Sequence, residues 1–177
     1  MRTEAQAAGL LLARGADRVE HPGGTLYAHL QRVRATLGRW GARPELRLAG
    51  LCHAFYGTDG FATALGDPGR RGDLIEVIGP EAERLVYLYA ACDRSRSYPR
   101  LTSPDGPFID RFTGTAHRLR PADRRDFAEL TVANELDVLA ASPALRAAHG
   151  QALAALFTTW RPLLSPSAAR AAADLHR

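Results

Sequence analysis

The chain has 177 residues and 19.2 kDa, which suits one domain with a sizeable core and no disulfide or metal staple. Ala and Leu number 56 against 9 for Val and Ile, a ratio that favours helix over sheet. The 46% hydrophobic content excludes disorder, two Cys exclude a disulfide scaffold, and the net charge of +4 is built from Arg alone, since the chain has no Lys.

The hydrophobic spacing predicts a helix over residues 4–14, ending near Gly15. His21-Pro22-Gly23-Gly24 reads as a turn by composition. A second helix runs from Thr25 to Trp40, with Leu26, Leu30, Val33 and Leu37 on one face and Gly41 after its end. Pro44 opens a third, continuing to Tyr56, and Gly57-Thr58-Asp59-Gly60 breaks it. Short helices are expected over 61–65 and 71–78. Pro80, with two early Glu, opens the next, to Cys92. Residues 94–120 read as one long Pro/Gly/Ser-rich loop of the lid or binding type. Pro121 starts a long helix to Ala140, and Ser142-Pro143 and Ser165-Pro166 are N-cap signatures for two more. The expected fold is all-α: a single compact bundle of about seven to nine helices spanning residues 1–177.

Charge and termini narrow the partners. Arg is interleaved with 19 acidic residues, and aromatics make up 7%, so nucleic-acid binding is not expected. No apolar stretch approaches 18 residues and the amino terminus lacks a long apolar core, so neither a membrane span nor a signal peptide is expected. Cys52 and Cys92 read as buried free thiols of a cytoplasmic protein.

In an all-helical chain the informative residues are polar ones on buried faces, because burial there costs free energy unless partners satisfy them. His29 lies beside the apolar face of the second helix. His53 lies on the third, which is apolar almost all round and therefore central. Asp93 ends the Leu85-Leu88-Tyr89-Cys92 stripe. Asn134 lies in the Phe127-Leu130-Asn134-Val138 stripe, with Asp137 at its edge.

This arrangement resembles the HD-domain superfamily, an all-helical group named for a His-Asp pair. With another His and a distant Asp, that pair binds one or two divalent metals. Its members include phosphate-ester hydrolases and a smaller set of iron-dependent oxygenases. The resemblance covers about residues 20–140. It rests on His21-Pro-Gly-Gly-Thr-Leu-Tyr-Ala-His29-Leu30, on Ala49-Gly-Leu-Cys-His53-Ala54-Phe-Tyr-Gly-Thr58, and on Glu129-Leu-Thr-Val-Ala-Asn134-Glu-Leu-Asp137. The middle stretch is similar to an uncharacterised group of small bacterial HD-like proteins. The resemblance implies His29 as the first His, His53 as the second, and Asn134 or Asp137 as the late position. Ala54 stands where the defining Asp would be, which removes the residue that usually bridges two metals. A mononuclear site of His29, His53 and one carboxylate, Asp93 or Asp137, holding Fe, Mn or Co, stays open.

Three functions follow as expectations. The first is a small-molecule enzyme of bacterial secondary metabolism, in which His29 and His53 act as general acid and base. There Tyr56 and Asn134 orient a substrate oxygen, with His21, Asp93 and Arg94 also binding substrate. The second is a metal-dependent phosphohydrolase or oxygenase, with Arg94, Arg96, Arg100 and Arg111 available to a phosphate. The third is a non-catalytic ligand-binding module. A homodimer is left open. The absence of Lys excludes a pyridoxal phosphate Schiff base outright.

Overall fold

Helices dominate, as the Ala/Leu excess requires. The computed structural model describes residues 4–176, and the chain falls into two units, Met1–Ala91 and Cys92–Arg177.

The first unit opens with α1 (Glu4–Ala13), stopped by Gly15 in the left-handed region at φ 80°. The expected turn at 21–24 is a hairpin: β1 (Glu20–His21) pairs antiparallel with β2 (Gly24–Thr25) across Pro22-Gly23. Gly23 and Gly24 both have positive φ, which a Cβ would resist. Thr25 then caps α2 (Leu26–Arg39), its hydroxyl accepting from the Ala28 N–H at 3.2 Å. Leu26, Leu30, Val33 and Leu37 are fully buried along one stripe of α2, with His29 beside them.

α3 (Pro44–Cys52) is buried on most of its surface, as its sequence predicts. It approaches α2 closely at Gly50, where a Cβ would run into the Leu37 side chain. It ends four residues earlier than its apolar pattern implies. Phe55 and Gly57 donate to the carbonyls three residues back, so the backbone tightens through 53–57 and turns at Gly57, φ 72°.

The helix expected over 61–65 does not form. Thr58 and Phe61 form a bridge across Asp59-Gly60, a hairpin signal that outweighs a five-residue apolar run. The Leu65 and Gly66 amides both donate to the Phe55 carbonyl instead. α4 (Gly72–Ile78) and α5 (Pro80–Ala91) complete the unit, separated by Gly79 at φ 88°.

In the second unit the stretch 94–120 is shorter on irregular backbone than its composition implies. It holds α6 (Arg94–Ser97), a 3-10 turn (Tyr98–Arg100), and the antiparallel pair β3 (Phe108–Ile109) and β4 (Ala116–His117). Arg124, buried on α7 (Pro121–Ala141), pins this segment. Its guanidinium donates to the carbonyls of Leu101 (2.9 Å), Ser103 and Pro104 (2.9 Å). Replacing Arg124 by Ala removes a charged donor from three buried or half-buried carbonyls, each left to find water. The expected cost is about 2–3 kcal/mol. Urea unfolding and limited proteolysis at 101–107 check it: the variant should unfold earlier and be cut faster there.

α8 (Pro143–Trp160) and α9 (Pro166–Ala173) start as predicted: the Ser142 and Ser165 hydroxyls accept from the Leu145 and Ala168 amides. Ser165 is further fixed by buried Glu129, which accepts from both its hydroxyl (2.9 Å) and its amide (3.1 Å). Among the described residues no helix is long and apolar enough to cross a membrane.

Candidate functional site

The first unit brings three of the predicted residues together. The hairpin lays the His21 ring over His29, centroids 4.0 Å apart and planes 24° from parallel. His29 is 1% exposed on α2, and His53, at the end of α3, is 2% exposed. The close approach at Gly50 brings their rings edge to face, 5.2 Å between centroids, with the two Nε2 atoms 3.4 Å apart. Tyr89 of α5 stands edge-on to His53 at 5.2 Å, and Phe61 edge-on to His21 at 5.3 Å. The result is a column, Phe61–His21–His29–His53–Tyr89, running into the core.

The hydrogen bonds fix the tautomer of His53. Its Nδ1 lies 2.8 Å from the Gly50 carbonyl, which can only accept, so Nδ1 carries a proton. In the neutral ring Nε2 is then the bare nitrogen, and His29 Nε2–H is the donor across the 3.4 Å gap. A backbone carbonyl holding one nitrogen so that the other keeps its lone pair is how proteins present imidazole as a base or a metal ligand.

The same separation suits metal ligation in one respect. Two nitrogens about 2.1 Å from one ion at a tetrahedral angle lie about 3.4 Å apart. The set is incomplete, however. His21 stacks on His29 rather than converging with it, Ala54 supplies no donor, and among the described residues no group of three or more His, Cys, Asp or Glu is arranged to hold a metal.

Tyr56, one turn beyond His53, belongs to a second buried group. Its hydroxyl donates to Glu83 Oε1 at 3.0 Å. Arg71 closes on the same carboxylate through both oxygens, Nε to Oε1 at 2.7 Å and Nη2 to Oε2 at 2.6 Å, while its guanidinium lies 4.1 Å from the Tyr87 ring. Glu83 is fully buried. Burial, then the Glu83 charge and the hydrogen bond to it, push the Tyr56 hydroxyl well above its ordinary range.

Cys52 and Cys92 are both buried, and neither forms a disulfide with a described residue. Burial pushes the Cys52 thiol from about 9 up to about 12. In the unfolded chain that thiol ionises as pH passes about 9, while in the fold it stays protonated. The unfolded state therefore binds fewer protons, and stability falls as pH rises from about 9 towards 12. Tyr56 acts with the same sign. The expected slope from Cys52 is up to about 1.4 kcal/mol per pH unit in that window. Urea midpoints between pH 8 and 10.5 check this: the wild type should fall more steeply than Cys52→Ala, and equal slopes would contradict it.

The remaining predicted residues lie in the second unit. Asp93 caps α6, accepting from the Arg96 N–H at 3.1 Å. Arg94 pairs with Glu135 at 3.1 Å and lies 5.9 Å from the Tyr98 ring. Asn134 is buried and donates to the same Glu135 oxygen at 3.2 Å; Asp137 is half-buried on α7. The Arg94–Glu135–Asn134 cluster is thus a charge-neutral unit. Arg96 sits 3.9 Å from Asp93, and Arg111 packs on Phe112 at 4.5 Å. Arg100 ends the 3-10 turn and is exposed.

Two residues of the buried groups escape a reading of the sequence. Glu83 in the first turn of a helix reads as a helix-dipole partner. Its signal is its spacing, one turn before Val86 and two before Ala90, both fully buried. Arg71 follows from Glu83, because a buried carboxylate requires a partner.

The structure thus defines a helical unit with a buried histidine column beside a buried Arg–Glu–Tyr cluster. A family model described as "Domain of unknown function (DUF6817)" matches residues 10–94, so His21, His29, His53, Tyr56, Arg71, Glu83 and Tyr89 all lie inside the similarity, whereas Asn134 and Asp137 lie outside it. No curated protein and no solved structure matches the chain.

Proposed function

We propose that the chain is a small-molecule enzyme on a scaffold resembling the HD domain without its metal-bridging Asp, with His29 and His53 as its acid–base pair. The observation that carries this reading is the 3.4 Å contact between the two Nε2 atoms, combined with the proton that Gly50 holds on His53 Nδ1. One proton fits between the two Nε2 atoms; two would set N–H against N–H. That one proton is already in place in the neutral pair, so a substrate proton is taken up at His29 Nδ1, the imidazolium so formed keeping its Nε2–H on His53 Nε2, and is returned from there to another substrate atom. That exchange balances without oxidant, reductant or water, and suits isomerisation, elimination or cyclisation; with water added, hydrolysis. His21, half-buried on the hairpin, is the outermost imidazole of the column.

A second reading, a metal-dependent phosphohydrolase or oxygenase, is favoured by one observation, the ligand-like 3.4 Å separation. One experiment tests both. Untagged full-length protein is incubated with a small-molecule extract of the source cells, with and without EDTA, and followed by mass spectrometry beside its metal content. The acid–base reading expects a compound converted equally with EDTA and spared by His53→Gln. Conversion lost with EDTA, in protein carrying stoichiometric iron, manganese or cobalt, overturns it for the metal reading. No conversion by the wild type overturns both in favour of a binding module.

A further inference from the structure

The second unit holds a concave site that the histidine column does not use. The end of α8, the 3-10 turn after it (Arg161–Leu163) and α9 enclose a cleft of about 460 Å3, within the size range of small-molecule sites. Its apolar side is formed by Phe157, which is 2% exposed, with Leu164 and the alanines of α9, among them Ala169. Arg161 and Arg170 stand on its rim, both exposed. Arg170 donates to the Ser167 hydroxyl at 3.3 Å, and neither guanidinium has an ion pair with a described residue. The described lining contains no carboxylate. Elsewhere in the chain Arg43, Arg71, Arg94, Arg118 and Arg120 each face one.

Two cations with no ion pair among the described residues, on the lip of a hydrocarbon-walled cleft, concentrate anions there, because the low-dielectric wall focuses their field. The guanidinium fork matches the paired oxygens of a carboxylate or phosphate. The small side chains of α9 leave space for an apolar body, where larger ones would fill it. We infer that this cleft binds a small amphipathic organic anion, its carboxylate or phosphate head on Arg161 and Arg170 and a short apolar chain against Phe157 and Leu164. The site is independent of the acid–base reading.

Isothermal titration of the full chain with octanoate, octyl phosphate, octanol and inorganic phosphate tests this. The expected result is 1:1 binding of octanoate, octyl phosphate or both, with octanol and inorganic phosphate each about tenfold weaker or worse. Binding of octanoate alone or octyl phosphate alone names the head group. The Arg161→Gln/Arg170→Gln double variant should weaken the anions at least tenfold, and Ala169→Phe, which fills the cleft, should abolish them, each with an unchanged circular dichroism spectrum. Absence of binding by both alkyl anions at millimolar concentration overturns the inference. So does binding that both variants leave intact, or inorganic phosphate binding as well as octyl phosphate. A dimer that Ala169→Phe converts to monomer also overturns it, since the cleft would then be a contact between copies.

Discussion

Glu83→Ala is expected to destabilise the first unit by about 3 kcal/mol, the largest stability change of any single substitution considered. The carboxylate is fully buried and accepts three hydrogen bonds, two from Arg71 and one from Tyr56. Removing it strands a buried phenol hydroxyl and a partly buried cation. Breaking a buried pair from one side costs about 3–5 kcal/mol, and the lower end applies because the Arg71 side chain is 38% exposed and water can reach it. Tyr56→Phe removes one bond and leaves the Arg71 fork intact, so about 1–2 kcal/mol is expected. Urea unfolding of the two single variants and the double variant separates the contributions, and the double should lose less than the sum because the residues share a carboxylate. A loss under 1 kcal/mol for Glu83→Ala would mean the ion pair is not formed.

On the proposed acid–base reading, the second large effect falls on turnover rather than stability. His53→Gln keeps an uncharged polar side chain of similar length but has no group that takes up a proton at neutral pH. General acid–base catalysis is worth about 10²–10⁴-fold, so kcat should fall by that factor while the unfolding midpoint stays close to wild type. His29→Gln should do the same. The double variant should be no slower than either single variant, because groups that act as one unit are lost together. Additive losses would mean that the two rings act separately. The comparison uses the converted compound and needs no knowledge of its identity in advance.

Much of the fold is legible because Pro, Gly and Ser punctuate it. Pro44, Pro80, Pro121, Pro143 and Pro166 each open a helix where Pro is favoured, and the Ser142 and Ser165 caps are read directly from the chain. The misread places are those where tertiary bonds override local pattern. The apolar run to Tyr56 reads as helix, but Gly57 in the left-handed region and the pull of Leu65 and Gly66 on the Phe55 carbonyl end it at Cys52. Phe61–Leu65 is too short to hold a helix against the Thr58–Phe61 bridge. The long polar stretch after Asp93 reads as loop because Arg124, which orders it, lies 20 residues or more away in sequence.

The site was legible in part for a similar reason. Periodicity marks His29 and His53 as inward-facing, but it does not show that Gly50 lets α3 approach α2 closely enough for their Nε2 atoms to meet. His21 looks like a turn residue until the hairpin folds it onto His29. Asp93 reads as an inward carboxylate because it ends an apolar stripe; its neighbours show the commoner use of Asp at such a position, capping the next helix.

Whether His29 and His53 share one proton, with His53 fixed as the Nδ1–H tautomer, is decided by long-range proton–nitrogen NMR of the histidine side chains, recorded on EDTA-treated full-length protein and on His29→Gln. The expected result is a protonated Nδ1 and a bare Nε2 on His53, with the Nε2 resonance shifted when His29 is replaced. A His53 protonated on Nε2, or a spectrum of His53 that His29→Gln leaves unchanged, would contradict it.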